Sequence, residues 1–318
     1  MISLDILIPT FNRRQPLIKN LSLLDGMLSK IKDAKVRILV SDNASIDGTR
    51  EEVEQFIEEH SHGSLLLFSQ KENLGLTKNV ISILEKSNAD YILILGDDDY
   101  LNNRYLETAI KVISEDDDVS CVLPSFEGIT EYGERLCWGR DLGMKTRFFD
   151  SGIQNAVDNS YRAHQISGIL LKREGLFKAL KEKNITNLYP QIFMVAFSCL
   201  HGKCVHIPEY PVLVTQTTNK AWRYDDVGLL NDIFQNYKAL ELEDKYQFRL
   251  ERKIVCAQTW RALQYWKNPF KQVRVIFQIA NGPYTSKRGK YLFPLILSYY
   301  WAFRIMSAVK GRILKLCR

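Results

Sequence analysis

Apolar residues in the first hundred positions fall into short, almost unbroken runs separated by stretches of helical periodicity. The runs are Leu4–Thr10, Val36–Val40, Leu65–Phe68 and Tyr91–Leu95. Each is short and rich in aliphatic side chains, so each reads as a strand covered on both faces. Between them Leu17, Leu21, Leu24, Leu28 and Ile31 recur at helical spacing, as do Val53, Phe56 and Ile57, then Val80, Ile81 and Leu84. Asp47-Gly48-Thr49 supplies the start of the second helix. Strand and helix in regular alternation predict an α/β fold with a mainly parallel sheet and helices on both faces.

Beyond residue 125 the pattern changes. Residues 127–165 carry Gly128, Gly133, Gly139, Gly143 and Gly152 and read as irregular. Ile166–Leu171 reads as a strand, Pro190–His201 as a helix, and Lys203–Val214 as a strand with turn residues Pro208 and Pro211. From Val227 to Phe277 the periodicity is helical, with Trp260, Tyr265 and Trp266 expected in its core. The expected organisation is an α/β domain over 1–215 (halves 1–125 and 126–215), a helical region over 216–286 and a tail over 287–318.

Composition adds little for the body and much for the tail. A chain of 318 residues that is 46% hydrophobic and 25% charged buries a sizeable core. Its net charge of +6 is concentrated in Lys287–Arg318, which holds bases and no acid. The mildly acidic remainder does not look like a nucleic-acid binder. Six cysteines without a CxxC pair suggest reduced thiols in the cytosol. Met1-Ile2-Ser3-Leu4-Asp5 has no signal-peptide pattern. In the tail, Tyr291–Phe303 is apolar and aromatic; Arg304, Lys310, Arg312, Lys315 and Arg318 follow. A helix of that apolar length falls short of a hydrocarbon core of about 30 Å, so no stretch is expected to span a bilayer. The expectation is an interfacial anchor on the inner face of the cytoplasmic membrane, its bases drawn to anionic lipid at about 1 kcal/mol each. The alternative is a C-terminal helix packed on the body.

The chemistry-bearing stretch is Gly96-Asp97-Asp98-Asp99, at the end of a buried strand. Adjacent acids there repel one another and are costly to desolvate. A bound Mg²⁺ or Mn²⁺ removes that cost. Ligands of α/β sheets sit beyond the carboxyl ends of the strands. Pro9-Thr10 with Asn12, and Asp42-Asn43, fall on the same predicted edge. Glu115–Asp118 follows a helix and reads as a solvated turn. The absence of GxGxxG after the first strand, and of GxxxxGK[ST], argues against an NAD-type fold and an NTPase.

Four motifs now occur in order: Ile8-Pro9-Thr10-Phe11-Asn12-Arg13, Ser41–Thr49, Asn73-Leu74-Gly75 and Leu95–Asp99. With them the chain resembles the family 2 glycosyltransferases of the GT-A fold, closely over about residues 1–125, more weakly to about 215. The resemblance implies transfer of a sugar from a nucleotide-sugar donor to an acceptor hydroxyl, with a divalent metal, Mn²⁺ or Mg²⁺. It implies that Pro9, Thr10, Asn12, Asp42 and Asn73 hold the nucleotide and that Asp97 contacts the ribose. Asp98 becomes the main metal ligand and Asp99 a second one, with Gly96 in place of the family's first Asp. Many members carry Glu-Asp at a helix start in the second half, as catalytic base. The matching segment here is Leu188–Phe193, where Pro190 and Gln191 cannot act as bases. Asp158 and His164 are the substitute candidates, and Gln191 a group that orients the acceptor. Residues 127–165 suit an acceptor-side loop, and Lys220 or Arg223 a lid over the diphosphate. By analogy the acceptor is a lipid-linked saccharide of bacterial surface polysaccharide, such as O-antigen or capsule. The alternatives are a non-catalytic nucleotide-sugar-binding scaffold of polysaccharide assembly, and a nucleotidyltransferase. The latter is disfavoured by the lack of glycines after the first strand.

Overall fold

The structure, a computed structural model, describes residues 1–60, 63–216 and 224–316, with side chains to residue 309. It divides into two units, Met1–Asn219 and Lys220–Arg318. In the first unit, β1 (Ile2–Thr10), β2 (Ala34–Asp42), β3 (Leu65–Ser69) and β4 (Tyr91–Ile94) come from the alternating half. β5 (Val119–Ile129), β6 (Arg135–Arg140), β7 (Arg147–Phe149), β8 (Ile169–Lys172) and β9 (Lys203–Thr215) follow. All join one sheet in the order β3-β2-β1-β4-β8-β5-β9-β7, with β6 on β5.

β1 to β4 are parallel. β8 runs antiparallel to both β4 and β5, and β5 is parallel to β9. The mainly parallel sheet expected from periodicity thus describes the first half, and the second half is mixed. Periodicity reports which faces are buried and carries no strand direction, so it could not tell the two apart. Leu4, Ile6, Ile8, Leu93, Leu170 and Val205 are completely buried in the core of this sheet. α1 (Arg14–Leu28), α2 (Thr49–His60), α3 (Leu76–Lys86) and α4 (Asn103–Glu115) form the first helices. α5 (Ile153–Asn159), a 3-10 turn (Ser160–His164), α6 (Leu176–Glu182) and α7 (Pro190–His201) complete the unit.

Residues 127–165 are not irregular: they hold the end of β5, then β6, β7, α5 and the 3-10 turn. Two of the glycines that suggested a loop instead serve close packing. A Cβ at Gly128 would lie 2.7 Å from the Trp138 ring, and one at Gly139 would lie 2.4 Å from the Phe126 carbonyl. The strand expected at Ile166–Leu171 starts three residues later, at Ile169. Pro208 and Pro211 do not end β9; they fall where its register with β5 shifts, between Pro124 and Phe126.

The second unit is helical: α8 (Leu230–Ala239), α9 (Asp244–Ala257), α10 (Thr259–Ala262), α11 (Pro269–Ala280) and α12 (Lys287–Leu316). Its core is built around Phe293, whose ring lies 5.6 Å from Phe234 and 5.7 Å from Phe248. Trp260 is 43% exposed rather than buried. The neighbouring Arg261 is buried instead, donating from Nη1 to the Gly228 carbonyl at 2.9 Å. The tail helix runs 30 residues, about 45 Å, where an apolar stretch ending at Arg304 had been expected to stop short. Arg304 does not interrupt it; its guanidinium lies 5.1 Å over the Trp266 ring. Lys287–Val309 is long and apolar enough to cross a membrane, with 11% of its apolar window buried. Phe293 and Leu297 are its buried side chains, whereas Tyr291, Leu295, Tyr299, Phe303 and Met306 are exposed.

The α11–α12 connection is pinned by Glu251. This fully buried side chain accepts from Ser286 N at 2.9 Å, Ser286 Oγ at 2.6 Å and Gln247 Nε2 at 2.8 Å. Burial pushes its carboxyl up from 4.5 to about 7, against the opposing pull of these donors. The folded chain therefore keeps a proton that the unfolded chain releases above pH 4.5. The stabilisation is full below that pH and is lost as pH rises to about 7, a change on the order of 3 kcal/mol. Glu251→Gln keeps the shape and two acceptor bonds and donates to Ser286 Oγ. Its melting temperature is expected to match the wild type at pH 5 and exceed it at pH 8; parallel curves at both pH values would contradict this.

Candidate active site at the sheet edge

β1 and β2 are parallel with Thr10 beside Asp42, and Leu7 of β1 pairs with Ile94 of β4. Three carboxyl ends thus open onto one edge. After β4 the chain turns at Gly96. Gly96 N donates to Ser167 Oγ at 2.9 Å, and its carbonyl accepts from Asn20 Nδ2 at 3.1 Å. A Cβ here would sit 3.0 Å from Asp99 Oδ2 and 3.1 Å from Ser167 Oγ. A larger residue at 96 would have to displace the very groups that shape the turn.

The three aspartates point into different surroundings. Asp97 accepts from Thr10 Oγ1 at 2.8 Å. The Asp98 side chain is 20% exposed and lies 3.7 Å from Arg13 Nη1. Asp99 is turned inward and 5% exposed. Its Oδ2 accepts from Ser167 Oγ and from Gln165 Nε2 at 3.1 Å, and its Oδ1 from Thr215 N at 2.8 Å. The Thr215 hydroxyl donates to the Asp98 carbonyl. Tyr100 and Leu213 exchange backbone bonds at 2.9 Å, fixing the exit of the turn to β9. Loss of water, then the charge of Asp98, raises the Asp97 and Asp99 carboxyls to about 7. Burial raises Asp98 too, and Arg13 opposes the rise.

The neighbouring loops are equally ordered. Asn12, at φ 53°, accepts from Ile46 N at 2.9 Å and donates its own N–H to Ser45 Oγ at 2.8 Å. Asp42 is 2% exposed and accepts from Ser45 N at 3.2 Å. Asn43 donates to Asn73 Oδ1 and accepts from Leu74 N, both at 2.9 Å. Pro9 pairs with Ser41 on the same edge. The residues expected around a nucleotide therefore converge.

The catalytic candidates are more scattered. His164 ends the 3-10 turn, its Nδ1 3.2 Å from Arg140 Nη1, and its neighbour Gln165 reaches Asp99. Asp158 lies on α5 and accepts from Gln154 Nε2 at 2.7 Å. Gln191, in the first turn of α7, is 5% exposed, and its Oε1 has no hydrogen-bond partner among the described residues. The segment before it is fastened to α3 by Thr77 Oγ1, which donates to the Asn187 carbonyl at 2.8 Å. Lys220 and Arg223 lie outside the described residues.

Asn20, Gln165, Ser167 and Thr215 were not anticipated. Asn20 left a signal, a polar residue inside the buried Leu17–Leu24 stripe of α1. The other three meet the turn only through long-range pairing, which no local pattern reports. As for a metal, the partly exposed carboxylate of Asp98 on a clamped turn is a hard oxygen donor of the kind a divalent cation takes. Both Asp99 oxygens are already engaged, so Asp99 suits a supporting role better than the second-ligand role expected for it.

The model for "Glycosyl transferase family 2" matches residues 5–176, from β1 to the start of α6. The chain belongs to glycosyl transferase family 2. The motifs that suggested the family are those at this edge. Abequosyltransferase RfbV of Salmonella typhimurium is 32% identical over 94 residues, 30% of this chain. That match spans 27% of the relative's length. TarS 1–349 of S. aureus, solved with UDP-GlcNAc, superposes with TM-score 0.68 at 15% identity, over 95% of this chain and 88% of that one. The mannosyltransferase PcManGT of Pyrobaculum calidifontis, solved with GDP-Man and Mn²⁺, gives TM-score 0.54 at 16% identity, over 96% and 86%. Both likenesses are of fold, and the fold is GT-A.

Ser167→Ala removes a donor to Asp99 and the acceptor for Gly96 N in one step. Leaving buried polar groups unpaired costs about 1–3 kcal/mol. The urea unfolding midpoint is expected to fall accordingly; an unchanged midpoint would mean that Ser167 does not hold the turn.

Proposed function

We propose that this family 2 glycosyltransferase binds a nucleotide-sugar donor where β1, β2 and β4 end and transfers the sugar to a hydroxyl of a lipid-linked saccharide in surface-polysaccharide synthesis. The observation that carries the reading is the meeting of Thr10, Asn12 and Asp42 with the Asp97–Asp98 turn on one edge. Asp42 offers a carboxylate to an imide N–H of the base, with Thr10 and Asn12 nearby for further hydrogen bonds. Asp97 takes the ribose. Asp98 holds a divalent cation, Mn²⁺ or Mg²⁺, while Asp99 fixes the turn beneath it. When bound, that cation neutralises the leaving diphosphate. His164 is the base candidate whose neighbour touches the turn, and Gln191 turns an unsatisfied amide oxygen to the acceptor hydroxyl. The abequosyltransferase likeness supports sugar transfer, and the Mn²⁺-bound mannosyltransferase of like fold supports the metal.

The reaction is tested with a panel of nucleotide sugars and Mn²⁺. At least one donor is expected to be turned over, by transfer or by hydrolysis, and Asp98→Ala or a chelator is expected to abolish it. Turnover by Asp98→Ala in chelator would refute the metal role; binding without turnover of any donor would favour a non-catalytic scaffold.

The tail belongs to the same proposal. α12 exposes Tyr291, Leu295, Tyr299, Phe303 and Met306, while Phe293 and Leu297 stay buried in the second unit. A helix held by that edge lies in the interface rather than crossing it. Aromatic side chains favour the headgroup level, and the bases of the tail favour anionic lipid. The wild type is expected to float with anionic vesicles, and a variant with Leu295, Tyr299, Phe303 and Met306 changed to Ser to stay in solution. Equal flotation of the two proteins would overturn the anchor.

A further inference from the structure

β5 and β6 carry an aromatic surface that the donor site leaves unused. Trp138 on β6 is 43% exposed, yet it rests on Gly128 and on the Phe126 ring. Its indole lies across Gly128 of β5, where a Cβ would come within 2.7 Å of the ring, so any side chain at 128 would push the indole away. Phe126 meets Trp138 edge-on at 5.6 Å between centroids, and His164 meets Phe126 at 5.8 Å. The Arg140 guanidinium lies 4.9 Å over the Phe126 ring and donates to the carbonyls of Arg162 and Pro124. Arg140 and Arg162 both pair with Asp141. The ionic network thus holds Phe126, against whose ring Trp138 rests while its indole remains open to solvent.

The position of this surface bears on the chemistry. His164 precedes Gln165, whose amide donates to Asp99. Gly128 pairs with Val214 of β9, next to Thr215, whose N–H also holds Asp99. The surface therefore connects to the aspartate turn by two short routes. Both arrive from the β5–β9 side, with β4 and β8 between it and the β1–β2 loops.

We propose that Trp138 is the stacking platform for the acceptor sugar, with the apolar C–H face of a pyranose lying on the exposed indole. The inference rests on the glycosyl-transfer reading. A pyranose carries hydroxyls around its rim and C–H groups on its face, so a flat, preordered aromatic buries the face and leaves the hydroxyls free to be aimed. An indole supplies that contact at low entropic cost because the ring is already fixed.

The test measures binding of methyl pyranosides of glucose, galactose, mannose and rhamnose by saturation-transfer NMR. Calorimetry of UDP and GDP with Mn²⁺ runs in parallel on the same proteins. At least one pyranoside is expected to bind the wild type and Trp138→Phe. Its affinity is expected to fall about tenfold in Trp138→Ala and in Gly128→Ala, which keeps the indole but displaces it. Nucleotide affinity is expected to be the same in all four proteins. Absence of any pyranoside binding to the wild type, or equal binding by Trp138→Ala, would overturn the proposal. A parallel loss of nucleotide affinity in Trp138→Ala would reduce Trp138 to a structural role. Failure of the donor panel instead strikes the glycosyl-transfer reading, and the two failures are told apart because neither measurement here requires turnover.

Discussion

Carboxylates that follow one another at the end of a buried strand repel each other and lose water, and the first unit is arranged around holding them. Asp99 is the keystone: its two oxygens receive donors from the segment before β8 and from the end of β9. Because Asp99 is saturated from inside, Asp98 is presented outward on a turn whose carbonyls are also fixed, by Asn20 at Gly96 and by Thr215 at Asp98. On the proposed reading, a divalent cation would relieve the repulsion that remains. Preorganisation of this kind places the cost of ordering the site in folding rather than in binding.

This constraint explains why the second half of the chain belongs to the same sheet. β8 inserts antiparallel between β4 and β5, and β9 lies parallel to β5. That order brings Ser167, just before β8, and Thr215, the last residue of β9, to the end of β4. A sheet in which the second half formed its own layer would leave Asp99 without donors. The same strands carry Phe126, Trp138 and Arg140, so the groups that clamp the turn and the aromatic surface beside it share one frame.

How much of this was legible follows from the range of each interaction. β1 to β4 and their helices were readable because burial on both faces writes itself into unbroken apolar runs. The edge residues Thr10, Asn12, Asp42 and Asp97–Asp99 were readable because they sit where those runs stop. The β5–β6 hairpin was missed because its glycines looked like breakers, while Gly128 and Gly139 actually admit close neighbours. The clamp from Gln165, Ser167 and Thr215 was missed because it spans up to 116 residues of sequence. The length of α12 was underestimated because Arg304 looked like an end, and its guanidinium instead lies over the Trp266 ring.

The central claim is that Asp98, held out by a clamped turn, is where the cation and the donor diphosphate meet. Anomalous diffraction from crystals grown with Mn²⁺ and a nucleoside diphosphate tests it most directly. The account predicts a manganese peak at coordination distance, about 2 Å, from an Asp98 oxygen, with Asp99 still bonded to Ser167 and Thr215. A peak away from Asp98, or a nucleotide bound at the β1–β2 loops with no cation at the turn, would contradict it.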